Sequence, residues 1–335
     1  MSDTQEFNDR LQSVLRRVYG HNTVLQSANR LSGGASQETW LIALDAESGP
    51  SDLILRRAPP GAEQSMGSAA IGLENEAKVI RQAHQGAVPV PGVVHVLDED
   101  DDMGSGFLMS RIQGETIARR ILRDDKFATA RDVLPEQCGR ALAGIHAIDS
   151  AQVPVLKPSS GLDQLAYYEN IYQSREVCRP IFDLAMVWLR ENAPAPLPTV
   201  VVHGDFRLGN IMVDESGLAA VLDWELAHIG DPREDIGWMC TNSWRFGHSD
   251  KRLGGFGDLE PFLDAYAASG GVEIKPADID WWDMLGSMKW GIMCMLMYES
   301  FRSGADPSVE RAAIGRRVSE TEMDLINLLE RQRHA

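Results

Sequence analysis

Between Val201 and Glu225 the chain reads "VVHGDFRLGNIMVDESGLAAVLDWE", one histidine, several carboxylates and an asparagine set among short apolar runs. The part "IMVDESGLAAVLD" has the pattern of a hairpin, with strand Ile211–Val213, a turn at Asp214–Gly217 and strand Leu218–Leu222. In that geometry the loop 203–210 and Asp223 lie at the same end of the hairpin, so Asp205, Asn210 and Asp223 converge on one point. Oxygen ligands from Asn210 and Asp223 suit Mg2+, which takes few protein ligands and keeps positions for phosphate oxygens and water. Asp205 is then left to accept a proton from a substrate hydroxyl, while Asp214 is a turn residue. The competing reading is a solvated loop between two strands.

The order His-x-Asp-x-x-x-x-Asn, followed 13 residues after Asn210 by Asp223, is the catalytic-loop arrangement of the protein-kinase fold. The segments "HGDFRLGN", "VLDWE" and "GDPREDIGW" resemble the aminoglycoside phosphotransferase / choline kinase family, the small-molecule branch of that fold, over roughly residues 25–300. "LRR" in the third strand together with "LDWELAHIGDPREDIGW" looks most like the phosphotransferase domains associated with acyl-CoA dehydrogenases. The resemblance implies transfer of the γ-phosphoryl group of ATP (or GTP) to a hydroxyl of a small molecule, with Mg2+ held by Asn210 and Asp223 and with Asp205 as the catalytic residue. Arg207 is either a stabiliser of charge on the transferred group or a solvated cation. His203 is expected to brace the loop more than to act as base, and Asp235 to anchor it from a neighbouring helix. Glu225 and Asp231 are either carboxylates behind the metal or solvated loop residues. The family's acceptors include aminoglycosides, choline, sugars, homoserine and hydroxyacyl thioesters, so these motifs specify the reaction and leave the acceptor open.

A kinase-like site also needs residues for the nucleotide. In "LSGGASQETWLI", Ser32, Gly33 and Gly34 form the candidate phosphate loop, where glycines permit a tight turn that brings backbone N–H groups near phosphate. The full kinase glycine spacing is absent. Alternation in "LILRRA" puts Ile54 and Arg56 on one face of a strand and Leu53, Leu55 and Arg57 on the other. Arg56 therefore falls where the kinase fold has a lysine, and an arginine binds phosphate through a bulkier planar fork. Glu76 is the preferred carboxylate partner of Arg56, with Glu74 as competitor. "FLMSRIQGE" resembles the hinge, where backbone groups of Ser110 to Ile112 would meet the nucleobase.

The elements that must position these residues divide the chain in two. Helical spacing is expected over 3–19 and 68–85, with strands in "RLSGGASQETWLIALD", "DLILRRAPPG", "GVVHVLDED" and "GFLMSRI". Beyond Gly114 helices are expected at 115–123, 132–149, 161–176, 178–192, 232–244, 258–269, 277–301 and 307–332. The expected fold class is α+β: a two-lobed protein-kinase-like fold with a small antiparallel-sheet nucleotide lobe, residues 1–111, and a larger helical lobe, residues 112–335, carrying the catalytic loop and the acceptor-binding helices.

Composition excludes several classes. Of the 335 residues 44% are hydrophobic and 24% charged, as in ordinary globular proteins, and the net charge of −17 argues against a nucleic-acid partner. The four cysteines, Cys138, Cys178, Cys240 and Cys294, have neither metal nor disulfide spacing, which points to a reducing cytoplasm. The first 20 residues lack the apolar core of a signal peptide, and "WWDMLGSMKWGIMCMLMY", with Asp283 and Lys289, reads as a buried helix and not a membrane span. No Walker GxxxxGK[ST] or hydrolase GxSxG occurs. The remaining rival is a nucleotide-binding protein of the same fold without catalysis. The oligomeric state is not legible.

Overall fold

The computed structural model describes residues 3–33, 37–58, 70–175 and 177–334. Helix α1 (Asp3–Tyr19) presents Phe7, Leu11, Val14 and Leu15 on one face and buries them against a sheet. That sheet contains β1 (Val24–Gly33), β2 (Glu38–Ala46) and β3 (Gly49–Ala58), then, after helix α2 (Leu73–Gln85), β4 (Val93–Val96) and β5 (Ser105–Ser110). Its order is β1-β2-β3-β5-β4 and every pairing is antiparallel. The period-two reading of β3 holds. Leu53 and Leu55 pack with α1, whereas Ile54 packs with the separate core that contains Phe107 and the α2 residues Ala77 and Ile80.

The second half is mostly helical. Helices α3 (Ala118–Arg123), α4 (Ala128–His146), α5 (Gly161–Gln173) and α6 (Pro180–Glu191) precede four short strands, β6 (Val200–Val202), β7 (Ile211–Asp214), β8 (Gly217–Val221) and β9 (His228–Gly230). Then come α7 (Arg233–Cys240), α8 (Leu259–Ala268), α9 (Asp280–Ser303), α10 (Val309–Gly315) and α11 (Val318–His334). The β7–β8 hairpin forms as expected, and Asp214 accepts the amides of Ser216 and Gly217 in its turn. Helix α9 is a core helix that buries Trp281, Trp282, Met288 and Trp290 among side chains of α6 and α11. Among the described residues no helix is long and apolar enough to cross a membrane.

Three expectations need correction. The helix read over 307–332 is two, α10 and α11, and α10 ends at Gly315, which packs so close to α9 that a Cβ there would sit 2.6 Å from the Cβ of Tyr298. The helix read from 115 starts at Ala118, since the backbone of Glu115 exchanges two hydrogen bonds with Val213 of β7. The helix read over 232–244 stops at Cys240, and a separate 3-10 turn follows at Asn242–Trp244. The strands β6 and β9, three residues each, pair antiparallel and are too short to leave a period in the sequence.

Helices α4 and α8 meet at Gly139, where an added Cβ would lie 2.3 Å from the backbone oxygen of Phe262. Since backbone must move to admit it, Gly139→Ala should lower stability by about 1–3 kcal/mol. The check is urea unfolding, where the midpoint should fall at unchanged m-value.

Candidate active site

Strand β6 leads into a loop, residues 203–210, whose shape is fixed before any side chain faces the cleft. Gly204 has φ +80°, and a Cβ there would stand 2.4 Å from the Leu226 oxygen, so this turn requires glycine. The first turn of α7 contributes Asp235, fully buried, which accepts the amides of His203 (2.7 Å) and Gly204 (2.9 Å). His146 of α4 reaches the same carboxylate at 3.3 Å, and its other ring nitrogen meets the Tyr266 hydroxyl at 2.8 Å. Burial alone would raise the Asp235 pKa, but the hydrogen bond and charge of His146 and the amides outweigh it and hold it below the usual carboxylate value.

His203 is a brace. Its ring is fully buried against Trp224, Nδ1 accepts the Asp205 amide (3.2 Å) and Nε2 donates to the Leu222 oxygen (3.0 Å). Burial depresses its pKa, which fits a neutral ring with both nitrogens committed.

Asp205 itself is held by three donors. Trp238 Nε1 (2.5 Å) and Arg207 Nε (2.9 Å) bond to Oδ1, and Asn210 Nδ2 (2.5 Å) bonds to Oδ2. Arg207 is not a solvated cation: its guanidinium also lies 4.4 Å from the centroid of the Trp244 ring. Because Asn210 turns its amide nitrogen to Asp205, its Oδ1 is left without a hydrogen bond among the described residues. Asp223 lies beyond the hairpin in the left-handed region, at φ +66°. Its Oδ1 accepts from Arg56 Nη1 (3.0 Å), while Oδ2 has no partner among the described residues. Two oxygens of the type that binds a hard divalent cation are therefore available at this end of the hairpin.

Arg56 chooses between its two candidate carboxylates. Nη1 lies 3.2 Å from Glu76 Oε1, whereas Glu74 is on the surface and pairs with Lys78 (2.8 Å). Nη2 donates to Gln37 Oε1 (3.0 Å). Burial pushes the Glu76 pKa up to about 7; Arg56 opposes this, and Asp223 adds to it. Ser32 and Gly33 end β1, paired with Thr39 and Glu38, while Gly34 lies outside the described residues. The Ser110 amide already donates to the Gly92 oxygen (2.8 Å), and Ile112 follows the end of β5. Glu225 accepts a long bond (3.5 Å) from Gln37. Asp231 is a clamp elsewhere, bonded to the Arg233 guanidinium.

Two contributors have no role in the sequence reading. Trp238 lies within the "GDPREDIGW" segment, whose pattern signals the neighbourhood but not the contact with Asp205. Gln37, which joins Arg56 to Glu225, carries no signal at all.

A five-stranded antiparallel lobe joined to a helical lobe, with a braced His-x-Asp loop and a metal-type Asp after a hairpin, defines a protein-kinase-like fold. Solved structures agree. A protein from Ralstonia eutropha assigned as an aminoglycoside phosphotransferase superposes with TM-score 0.74 at 21% identity, covering 96% of this chain and 98% of that one. A spectinomycin phosphotransferase solved with ADP and spectinomycin gives 0.62 at 13% identity, covering 96% and 98%. The sequence profile of the phosphotransferase enzyme family matches residues 27–280, and the chain belongs to that family. Among curated relatives, acyl-CoA dehydrogenase family member 10 of Mus musculus is 25% identical over 240 residues, 69% of this chain. The match spans only 22% of that relative's length.

Replacing Asp235 by Asn would leave one acceptor oxygen and set an NH2 group among donors. Asp235→Asn should therefore cost about 2–4 kcal/mol in denaturant unfolding. Asp214→Asn, in an exposed-side turn, should cost markedly less in the same measurement.

Proposed function

We propose that the protein is a small-molecule kinase that moves the γ-phosphoryl group of ATP (or GTP) to an acceptor hydroxyl. The observation that carries this reading is the Asp205 carboxylate, fixed by Trp238, Arg207 and Asn210 beside the two uncommitted oxygens of Asn210 and Asp223. Membership of the phosphotransferase enzyme family supports the reaction class, and the ADP bound by the spectinomycin enzyme supports a nucleotide as donor.

In this reading residues 1–111 hold the nucleotide and residues 112–335 hold the loop and the acceptor. Asp205 orients the hydroxyl and takes its proton. Arg207, stacked on Trp244, keeps Asp205 in place and adds positive charge near the transferred group. Mg2+ held by Asn210 and Asp223 would neutralise phosphate charge. Arg56, paired to Glu76, is the cation of the nucleotide lobe, and Ser32, Gly33 and Gly34 are its candidate phosphate-binding residues. With the Ser110 amide committed to Gly92, the Ile112 backbone is the better candidate for the nucleobase. Catalysis then comes mainly from positioning and charge neutralisation.

Asp205→Ala should lower acceptor-dependent ADP release by about three orders of magnitude or more while ADP still binds, as read by calorimetry. Full turnover in that variant would sink the assignment. Asp223→Ala should instead weaken Mg2+-dependent nucleotide binding itself, so the two carboxylates separate by assay. If wild type binds the nucleotide yet transfers to no hydroxyl, the protein is a non-catalytic nucleotide binder. Arg56, drawn onto Asp223, is the feature that favours this second reading.

A further inference from the structure

Beside the catalytic loop lies a cavity of about 530 Å3, walled by Tyr167 and Tyr168 of α5, Gly204, His228, Glu234 and Lys289 of α9. Lys289 reaches it between two aromatic faces, with Nζ 4.6 Å from the Trp238 ring centroid and 5.9 Å from that of Tyr168. No carboxylate of the described residues stands at ion-pair distance from it. Of the acids that line the cavity, Glu234 keeps Oε1 buried and without a hydrogen-bond partner among the described residues, while its Oε2 and Asp163 are engaged. Glu234 Oε2 accepts from Gln164 (2.8 Å) and His228 (3.1 Å), and Asp163 closes the N-terminal cap of α5 with Ser160. Lys157 stands at the exposed rim, so two lysines balance two carboxylates here, in a chain whose net charge is −17. Burial would discharge Lys289, but Tyr168, Glu234, Asp205 and Asp235 outweigh it and keep the ammonium charged.

The cation is also placed relative to the reaction centre. Trp238 donates its Nε1 hydrogen to Asp205 and offers its ring to Lys289, so a single indole separates the hydroxyl-accepting carboxylate from the ammonium. The ammonium has no direct ion-pair or hydrogen-bond partner among the described residues, so its donors are free for an oxyanion of a ligand. A cationic acceptor would meet like charge at the same place.

We propose that Lys289 sets the acceptor specificity, and that the acceptor is a hydroxy acid whose carboxylate pairs with Lys289 while its hydroxyl meets Asp205 and its hydrocarbon part lies along Tyr167 and Tyr168. This rests on the phosphotransferase reading above. In the transfer the hydroxyl proton passes to Asp205, the new O–P bond forms as the bond from the γ-phosphorus to the bridging oxygen breaks, and ADP leaves with that electron pair.

The test is acceptor-dependent ADP release with 3-hydroxybutyrate, 3-hydroxyhexanoate and 6-hydroxyhexanoate, each beside its neutral amide, and with choline and kanamycin. Wild type should prefer at least one acid over its amide by about tenfold or more in kcat/KM, chiefly through KM. Lys289→Met should remove most of that preference, and Lys289→Arg should restore it, which a loss of folding would not do. Equal use of acids and amides, preferred use of choline or kanamycin, or an undiminished preference in Lys289→Met would overturn the proposal. Calorimetric binding of the same acids separates the two levels. Binding that depends on Lys289 with no transfer in wild type removes the kinase reading and keeps the anion site; transfer without acid preference does the reverse. No transfer and no Lys289-dependent binding removes both.

Discussion

One buried carboxylate fixes the loop 203–210. Asp235 sits at 0% exposure and receives two consecutive backbone amides from His203 and Gly204, together with the ring of His146. The loop cannot use those amides in regular structure, because Gly204 turns left-handed where it leaves β6. A buried amide without a partner is costly, so the acid at the start of α7 is what allows the turn to exist. Through His146 and Tyr266 the same carboxylate ties α4 and α8 to the loop, and thereby joins the main helical packing to the site.

Above that base, Asp205 is held by groups from three directions: Trp238 of α7, Arg207 of the loop itself, and Asn210 at its end. Each of the three has a second attachment. Trp238 packs against Trp244, Arg207 stacks on Trp244, and Asn210 also bonds to the Asp205 backbone oxygen. A carboxylate gripped in this way has a fixed direction, and under the proposed function that positioning would contribute to rate. Trp238 serves two ends at once, since the ring that donates to Asp205 also faces Lys289.

What the sequence made legible follows from distance along the chain. Asp205, Asn210 and Asp223 lie within 25 residues around one hairpin, so strand period and turn chemistry were enough to bring them together. The facing of Arg56 followed from alternation in β3. The choice of Glu76 over Glu74 was available in the phase of α2, where Leu73, Glu76, Ile80 and Ala83 share the buried stripe, but it needed the helix start at Leu73. By contrast, Trp238 lies 33 positions from Asp205, Gln37 lies 188 from Glu225, and Lys289 meets its rings across separate helices. Such pairs have no local period to betray them. The close approach of Gly315 to Tyr298 of α9 is of the same kind, a contact between separate helices.

Arginine in place of lysine on β3 changes what the cleft does at rest. Its planar fork spans three partners, with Nη1 between Glu76 and Asp223 and Nη2 on Gln37, where a single ammonium would serve a smaller circle. Yet Glu76 is still pushed up to about 7, so burial outweighs what Arg56 returns to it. The guanidinium is thus shared and not spent on one carboxylate. Under the proposed function an anion entering the cleft would compete with Asp223 for Nη1, and a divalent cation would compete with Arg56 for Asp223. The two exchanges assist each other: a cation on Asp223 frees Arg56, and an anion on Arg56 frees Asp223. A cation alone would leave Arg56 with Glu76 and Gln37, whereas an anion alone would leave Asp223 without its ion-pair partner. Under the proposed function the shared ion pair would favour a ligand that brings both charges together, as a metal-bound polyphosphate does.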